Sequence, residues 1–134
     1  MIFPGFELIV AHLLGDYVFQ NDFLATGKHA RAVAGTRDEE ERRRRGKYIT
    51  LTCLLHALLY TLAFVLITWN AYPPLFYLSI LVPHFLIDRM DVAPKVMDLI
   101  GQKGFREHLA PWSTIIHDNT LHLLCVFLSV RLLL

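Results

Sequence analysis

The sequence predicts an all-α membrane protein: an antiparallel four-transmembrane-helix bundle with a short interfacial helix on the cytoplasmic side. Three observations carry that expectation. Hydrophobic residues make up 54% of the 134-residue chain and charged residues only 19%, against about 25% charged in an ordinary soluble domain. Eight of the 13 Lys and Arg residues fall in one stretch (Lys28, Arg31, Arg37, Arg42, Arg43, Arg44, Arg45, Lys47), beside Asp38, Glu39, Glu40 and Glu41. Outside that stretch the chain reads as apolar runs close to the ~20 residues a helix needs to cross a bilayer. Strands of a membrane barrel would alternate in polarity, and these runs do not. The length fits one integral membrane domain, residues 1–134. The composition argues against a soluble enzyme or a disordered chain. The net charge of +1 argues against a nucleic-acid module that works through basicity.

Taken in order, the first run covers residues 2–20 and is the most polar. It looks at first like a signal peptide, but it has no basic leader and no A-x-A site, and Glu7, His12 and Asp16 interrupt it. It is therefore expected to stay in the mature protein. The second run, 49–69, carries His56 as its one charged or imidazole residue. The third, 72–88, contains Pro83, which should kink it just before His84. The fourth, 112–134, carries His117, Asp118, His122 and Arg131. Cys53 and Cys125 lie within apolar runs, far apart and without a partner motif, so neither a disulfide framework nor a thiolate metal site is expected.

The connections set the orientation. The loop 21–48 holds the eight clustered basic residues, and the loop between the third and fourth runs holds Arg89, Lys95, Lys103 and Arg106. The connection from Asn70 to Pro74 holds none. The positive-inside rule then places the first and third loops in the cytoplasm and both termini outside a bacterial inner membrane. Tyr48, Trp69, Tyr72 and Trp112 fall at span ends, as an aromatic belt would. Asp91 to Gly101 reads as a surface-lying helix capped by Asp91, with Val92, Val96, Met97 and Ile100 on one face. The run 37–45, RDEEERRRR, reads as a solvated helical hairpin with Glu–Arg pairs rather than a head-group or nucleic-acid patch, because mixed signs leave little net field.

The informative residues are the polar ones inside the apolar runs. His12-x-x-x-Asp16-x-x-x-Gln20 shares one helical face, His84-x-x-x-Asp88 repeats the spacing, and Asp118-x-x-x-His122 repeats it reversed. With His56 they fall in one layer, roughly 0 to 15 Å from the cytoplasmic boundary at 1.5 Å per residue. Each ionisable group in a bilayer costs about 2.5–3.5 kcal/mol on insertion scales, so each needs a partner. His12, Asp16, His56, His84, Asp88, Asp118 and His122 supply nitrogen and oxygen donors enough for one or two divalent metals, most naturally zinc, with manganese or iron as alternatives. The competing account is a metal-free network of Asp–His pairs. Glu7 should be wet near the outer interface. His117 should lie behind the ligands or at the interface, His29 and His108 lie in loops, and Arg131 should snorkel. Gly15 should mark a close helix contact.

AHLLGDYVFQND, LLHALL, HFLIDRMDVAPK and HDNTLHLL resemble, in order and over nearly the whole chain, the motifs of a small bacterial and phage membrane family. It is catalogued as the domain of unknown function numbered thirty-three hundred and seven. The family pattern usually has Gln where this chain has Asn119. The resemblance implies a helical membrane protein of bacterial or phage origin and no established activity.

The residues themselves point first to an intramembrane metal-dependent hydrolase acting on a lipid or lipid-like molecule from the cytoplasmic leaflet. There a metal would activate water, with Asp16 and Asp118 as the catalytic carboxylates. Membrane lipid is the expected partner and nucleic acid is not; a bundle this small also suits homo-oligomers. The alternatives are a metal-ion or proton relay through the same layer, or a structural phage protein whose polar layer sets helix packing.

Overall fold

The computed structural model describes residues 5–28, 38–69 and 71–134. The start of the first run and, from the charged loop, His29, Arg31 and Arg37 lie outside these. Among the described residues there is no strand. The helices are α1 (Phe6–Leu13), running without a break into a π-helical stretch (Leu14–Val18), α2 (Asp22–Lys28), α3 (Glu39–Ile67), α4 (Pro74–Met90), α5 (Val92–Leu99), α6 (Lys103–His108) and α7 (Trp112–Leu133).

Several boundaries differ from the sequence expectation, each for a local reason. The first helical run ends at Val18 rather than Gln20, in a π turn closed by the Phe19 N–H donating to the Leu14 carbonyl at 2.9 Å. Asn21 then starts α2, where a loop was expected, by accepting the Leu24 N–H on its side chain at 3.0 Å, a standard N-cap. From Asp38 onward the charged run is one helix rather than the expected hairpin. Asp38 caps it by accepting from the Glu40 N–H at 3.0 Å, Glu41 pairs with Arg45 one turn on, and the helix continues as α3 to Ile67. Glu, Arg and Lys are all good helix formers, so a single helix costs little there.

Pro74 occupies the first position of α4, where its missing N–H is harmless. Pro83 lies inside this helix, which continues to Met90. Asp91 separates α4 from α5, but not as the expected side-chain cap. It takes a left-handed backbone (φ 53°) and makes no side-chain cap bond; Asp is among the few residues that tolerate this conformation. The short α6 was not expected. Its Arg106 holds Asp98, just before the end of α5, through two hydrogen bonds of 2.9 and 3.1 Å.

Named pairs show that α1, α3, α4 and α7 run alternately up and down. His12 meets Tyr60, and Asp16 meets His56. Thr68 meets Tyr77, while Arg89 Nε donates to Thr50 Oγ1 at 2.8 Å. Ser129 reaches the Ser79 carbonyl. The interior has two halves. Leu8, Ala11, Phe64, Phe76, Tyr77, Ile80 and Val126 fill one with apolar packing; His12, Asp16, His56, His84, Asp88 and His122 are buried in the other. Tyr60 sits between them. Outside, the pattern inverts: Leu51, Leu58 and Leu66 of α3, Leu78 of α4, and Phe127 and Leu128 of α7 are exposed. Two described helices, α3 and α7, are long and apolar enough to cross a membrane. α4 has 17 residues, and α1 with the π stretch has eight plus five.

Candidate metal centre

Each polar side chain reaches the bundle centre for a local reason. His84 and Asp88, one turn apart on α4, face inward together, as do Asp118 and His122 on α7. His56 projects from the middle of α3. On the first helix the chain approaches α3 closely at Gly15, where a Cβ would stand 2.6 Å from Tyr60 Cδ2 and 3.0 Å from Tyr60 Cα. The next residue, Asp16, lies in the π stretch, whose wider turn changes the angular step along the helix. Gln20, expected on the same face, falls beyond this stretch and lines a cleft instead.

Three overlapping groups bring ligand atoms within 4.8 Å of one another: Asp16, His84 and His122; His56, His84 and Asp88; and Asp88, Asp118 and His122. His56 Nε2 lies 3.2 Å from Asp16 Oδ1 and 3.6 Å from Asp88 Oδ2. His84 Nε2 lies 3.7 Å from Asp16 Oδ1 and 3.6 Å from Asp88 Oδ2. His122 Nε2 is 3.4 Å from Asp88 Oδ1 and 3.5 Å from Asp118 Oδ2.

Two kinds of contact set the scale for these separations. An N–H···O hydrogen bond is typically about 2.9–3.0 Å long. Two donors each 2.0–2.1 Å from a tetrahedral ion stand about 3.4 Å apart. Five of the six distances are 3.4 Å or more, a spacing that ligands around an ion would also show, while His56 Nε2 and Asp16 Oδ1 are hydrogen-bonded at 3.2 Å. Consistent with this, His84 and His122, 1% and 2% exposed, have no hydrogen-bond partner on either ring nitrogen, nor does His56 on Nδ1. The rings are held by stacking instead. Tyr60 lies on His84 with centroids 3.8 Å apart, and His84 on His122 at 3.9 Å. The donor set, imidazole and carboxylate without thiolate, suits zinc, manganese or iron(II).

His12 stands apart from all three groups. Its Nε2–H donates to Asn119 Oδ1 at 3.1 Å, and the amide orientation of Asn119 is set by Nδ2 donating to the Ile115 carbonyl at 2.9 Å. His12 Nδ1 therefore accepts from the Tyr60 hydroxyl at 2.7 Å and lies 3.5 Å from Asp16 Oδ2. Both its nitrogens are engaged, so it supports the cluster from outside, on the Asp16 side. Tyr60 and Asn119 are the residues that sequence reasoning missed. The spacing His56-x-x-x-Tyr60 could have found the first, because it repeats the one-turn interval of the other pairs.

The remaining polar residues stay away from the centre. His117 Nδ1 donates to the Ser113 carbonyl of its own helix at 3.0 Å. Glu7 is not simply wet: it accepts from the Tyr72 hydroxyl at 3.2 Å, tying the start of α1 to the connection between α3 and α4. His108 and Arg131 are exposed.

A cleft of about 800 Å³ leads to the cluster between the π stretch, α2, α5, α6 and the start of α7. Asp16, Asp118 and Asn119 form its polar end, while Ala25, Ala93, Pro94 and Ile115 give apolar walls, with Arg106 and Glu107 also lining it. That volume suits a small-molecule or head-group ligand. The Asp118 side chain is 19% exposed, the Asp88 side chain 1%, so the cluster opens on the Asp118 side.

Neither the curated proteins nor the solved structures include a match to this chain. A family profile does match, described as a protein of unknown function (DUF3307), and it covers residues 5–133; the chain belongs to the DUF3307 family.

Proposed function

We propose that the protein is a metal-dependent hydrolase of the bacterial inner membrane, acting on a lipid or lipid-like substrate from the cytoplasmic leaflet. The observation that carries this reading is a buried imidazole–carboxylate cluster at a spacing that could hold a metal, with one side open to a largely apolar cleft.

The membrane setting is supported by the inverted polarity of the bundle. In the apolar window of α7 only 17% of residues are buried, and in α3 39%, whereas a core helix of a soluble protein would be mostly covered. Soluble monomers rarely expose so much contiguous apolar surface. In this reading α1 with its π stretch, α3, α4 and α7 form a four-helix bundle in lipid with both termini outside. The cleft then faces the cytoplasm, at the end of the bundle that carries Arg42 to Arg45, Arg89, Lys95 and Lys103.

A bound ion would lower the pKa of its water toward neutrality and polarise a carbonyl or phosphoryl oxygen. Asp118, at the open side of the cluster, would take the proton of that water as its oxygen bonds to the carbonyl carbon or phosphorus. Asp118 would return that proton to the leaving oxygen as its bond breaks. A head group at the polar end of the cleft would meet Asp16 and Asp118, with its chain along the apolar wall. Transport through the bundle is disfavoured by the apolar half, where Phe64, Phe76, Ile80 and Val126 close the interior beyond Tyr60.

The test is a panel of ester and phosphoester lipids offered to the purified protein in nanodiscs, before and after chelation and metal restoration. Turnover that requires metal and disappears in Asp118→Asn supports the reading. Flux of zinc or protons across liposomes, with no lipid cleaved, would replace it with the relay.

A further inference from the structure

We infer that the cluster is a carboxylate-bridged two-metal centre in which Asp88 joins a closed position to an open one. The inference rests on reading the cluster as a metal centre, and adds how many ions it holds and what each does.

The two oxygens of Asp88 face different neighbours. Oδ2 faces His56 Nε2 and His84 Nε2, both at 3.6 Å, and the same two nitrogens face Asp16 Oδ1 at 3.2 and 3.7 Å. His56, His84 and Asp88 lie within 4.8 Å of one another, and Asp16 Oδ1 approaches both nitrogens from the π stretch; four donors from these elements would suit a closed site. Oδ1 of Asp88 faces His122 Nε2 at 3.4 Å, and that nitrogen lies 3.5 Å from Asp118 Oδ2. Here there are three protein donors, which leaves a position for water or substrate, and Asp118 brings it to the cleft.

The spacing also fits two ions. His84 and His122 are stacked with centroids 3.9 Å apart and planes 19° from parallel. Parallel imidazoles carrying one ion each hold those ions at a similar separation, and two-metal hydrolytic sites place theirs about 3.5–4 Å apart. Charge points the same way. With neutral imidazoles, Asp16, Asp88 and Asp118 carry three negative charges. One divalent ion leaves a negative charge in this buried region, whereas two ions with one hydroxide leave none, and uncompensated buried charge is costly.

Asp16, His56, His84 and Asp88 would hold the closed ion, and Asp88, His122 and Asp118 the open one, which would supply an activated water on the cleft side. Asp118, whose Oδ2 faces His122, would be both a ligand there and the acceptor of the water's proton.

Metal-stripped full-length protein in detergent micelles, titrated with Mn(II), tests this without any activity assay. Two ions per chain are expected, with an exchange-coupled electron paramagnetic resonance spectrum, and Asp118→Asn should reduce the stoichiometry to one and abolish the coupling. One ion per chain in the unsubstituted protein would overturn the two-metal centre and leave a mononuclear hydrolase standing. Two uncoupled ions would overturn the Asp88 bridge. No bound ion with either Mn(II) or zinc, in a protein of unchanged helicity, would overturn both this inference and the metal-dependent reading beneath it.

Discussion

Tyr60 Oη and His12 Nδ1 lie 2.7 Å apart, at the level where the apolar half of the bundle gives way to the polar half. The same tyrosine touches Phe64 on one side and stacks on His84 on the other. Its ring and its hydroxyl therefore have separable roles. Tyr60→Phe keeps the stack but leaves His12 Nδ1 without its donor. A buried acceptor left so costs about 1–3 kcal/mol, which should appear as lower thermal stability in detergent with metal content unchanged. Loss of metal at unaltered stability would instead place the hydroxyl among the ligands.

Gly15 gives a second test of the α1–α3 seam. A Cβ there would press on both the ring and the Cα of Tyr60, and backbone cannot move aside as a flexible side chain can. Gly15→Ala should cost about 1–3 kcal/mol, as overpacking does, and should weaken metal binding by pushing Asp16 away from His56. At Gly46, within α3, an added Cβ would meet nothing within 4 Å. Gly46→Ala should therefore gain up to about 1 kcal/mol from helix propensity alone. Equal effects of the two substitutions on melting temperature would contradict the close approach at Gly15.

The residues gathered at the centre are legible in the sequence because charge inside an apolar run is rare, and because the one-turn spacing of His84 with Asp88 and of Asp118 with His122 turns two side chains to one face. Other features leave no such mark. Tyr60 reads as an ordinary aromatic in an apolar run, and its polar role depends on His12 lying opposite. Asn119 reads as a simple exchange for the family's Gln, and only the folded chain brings its amide to His12, where it fixes the tautomer. The π stretch depends on a five-residue hydrogen bond that composition does not announce. The charged run suggests a hairpin when its charges are weighed as pairs; weighed as helix formers, the same residues simply extend α3. The cleft joins α2, α5, α6 and α7, segments far apart in sequence, and exists only once they have packed.

Orientation can be tested with the two tryptophans. Trp69 follows the end of α3 and Trp112 begins α7, so they mark opposite ends of the bundle, and both are exposed, at 90% and 68%. In vesicles containing the protein in one orientation, a quencher confined to one leaflet should quench single-tryptophan variants Trp69→Phe and Trp112→Phe unequally. Cysteines placed at Arg43 and Lys103, in a background lacking Cys53 and Cys125, should label only after the cytoplasmic side is exposed. Labelling of either site from outside intact cells would reject the assigned topology, whatever the fate of the metal centre.

His56 is the most diagnostic position for that centre. It is fully buried, and its Nε2 faces Asp16 and Asp88 at once, so it links the first helix to α4 through one nitrogen. As a structural group in an apolar helix it is costly; as a ligand it completes the set around the closed position. His56→Leu separates these roles, because leucine improves the hydropathy of α3 while removing the donor. Insertion into the membrane should be maintained or improved. Metal affinity should fall by more than the roughly 10–100-fold that losing a residue behind the ligands costs. The measurement is metal content per chain after dialysis against a weak chelator, alongside the melting temperature with and without added zinc. In the unsubstituted protein zinc should raise the melting temperature, since a ligand that binds only the folded state stabilises it by mass action; in His56→Leu that rise should largely disappear. If the variant kept both its metal and its zinc-dependent stabilisation, the cluster would have to be read as a network of Asp–His pairs that serves helix packing alone.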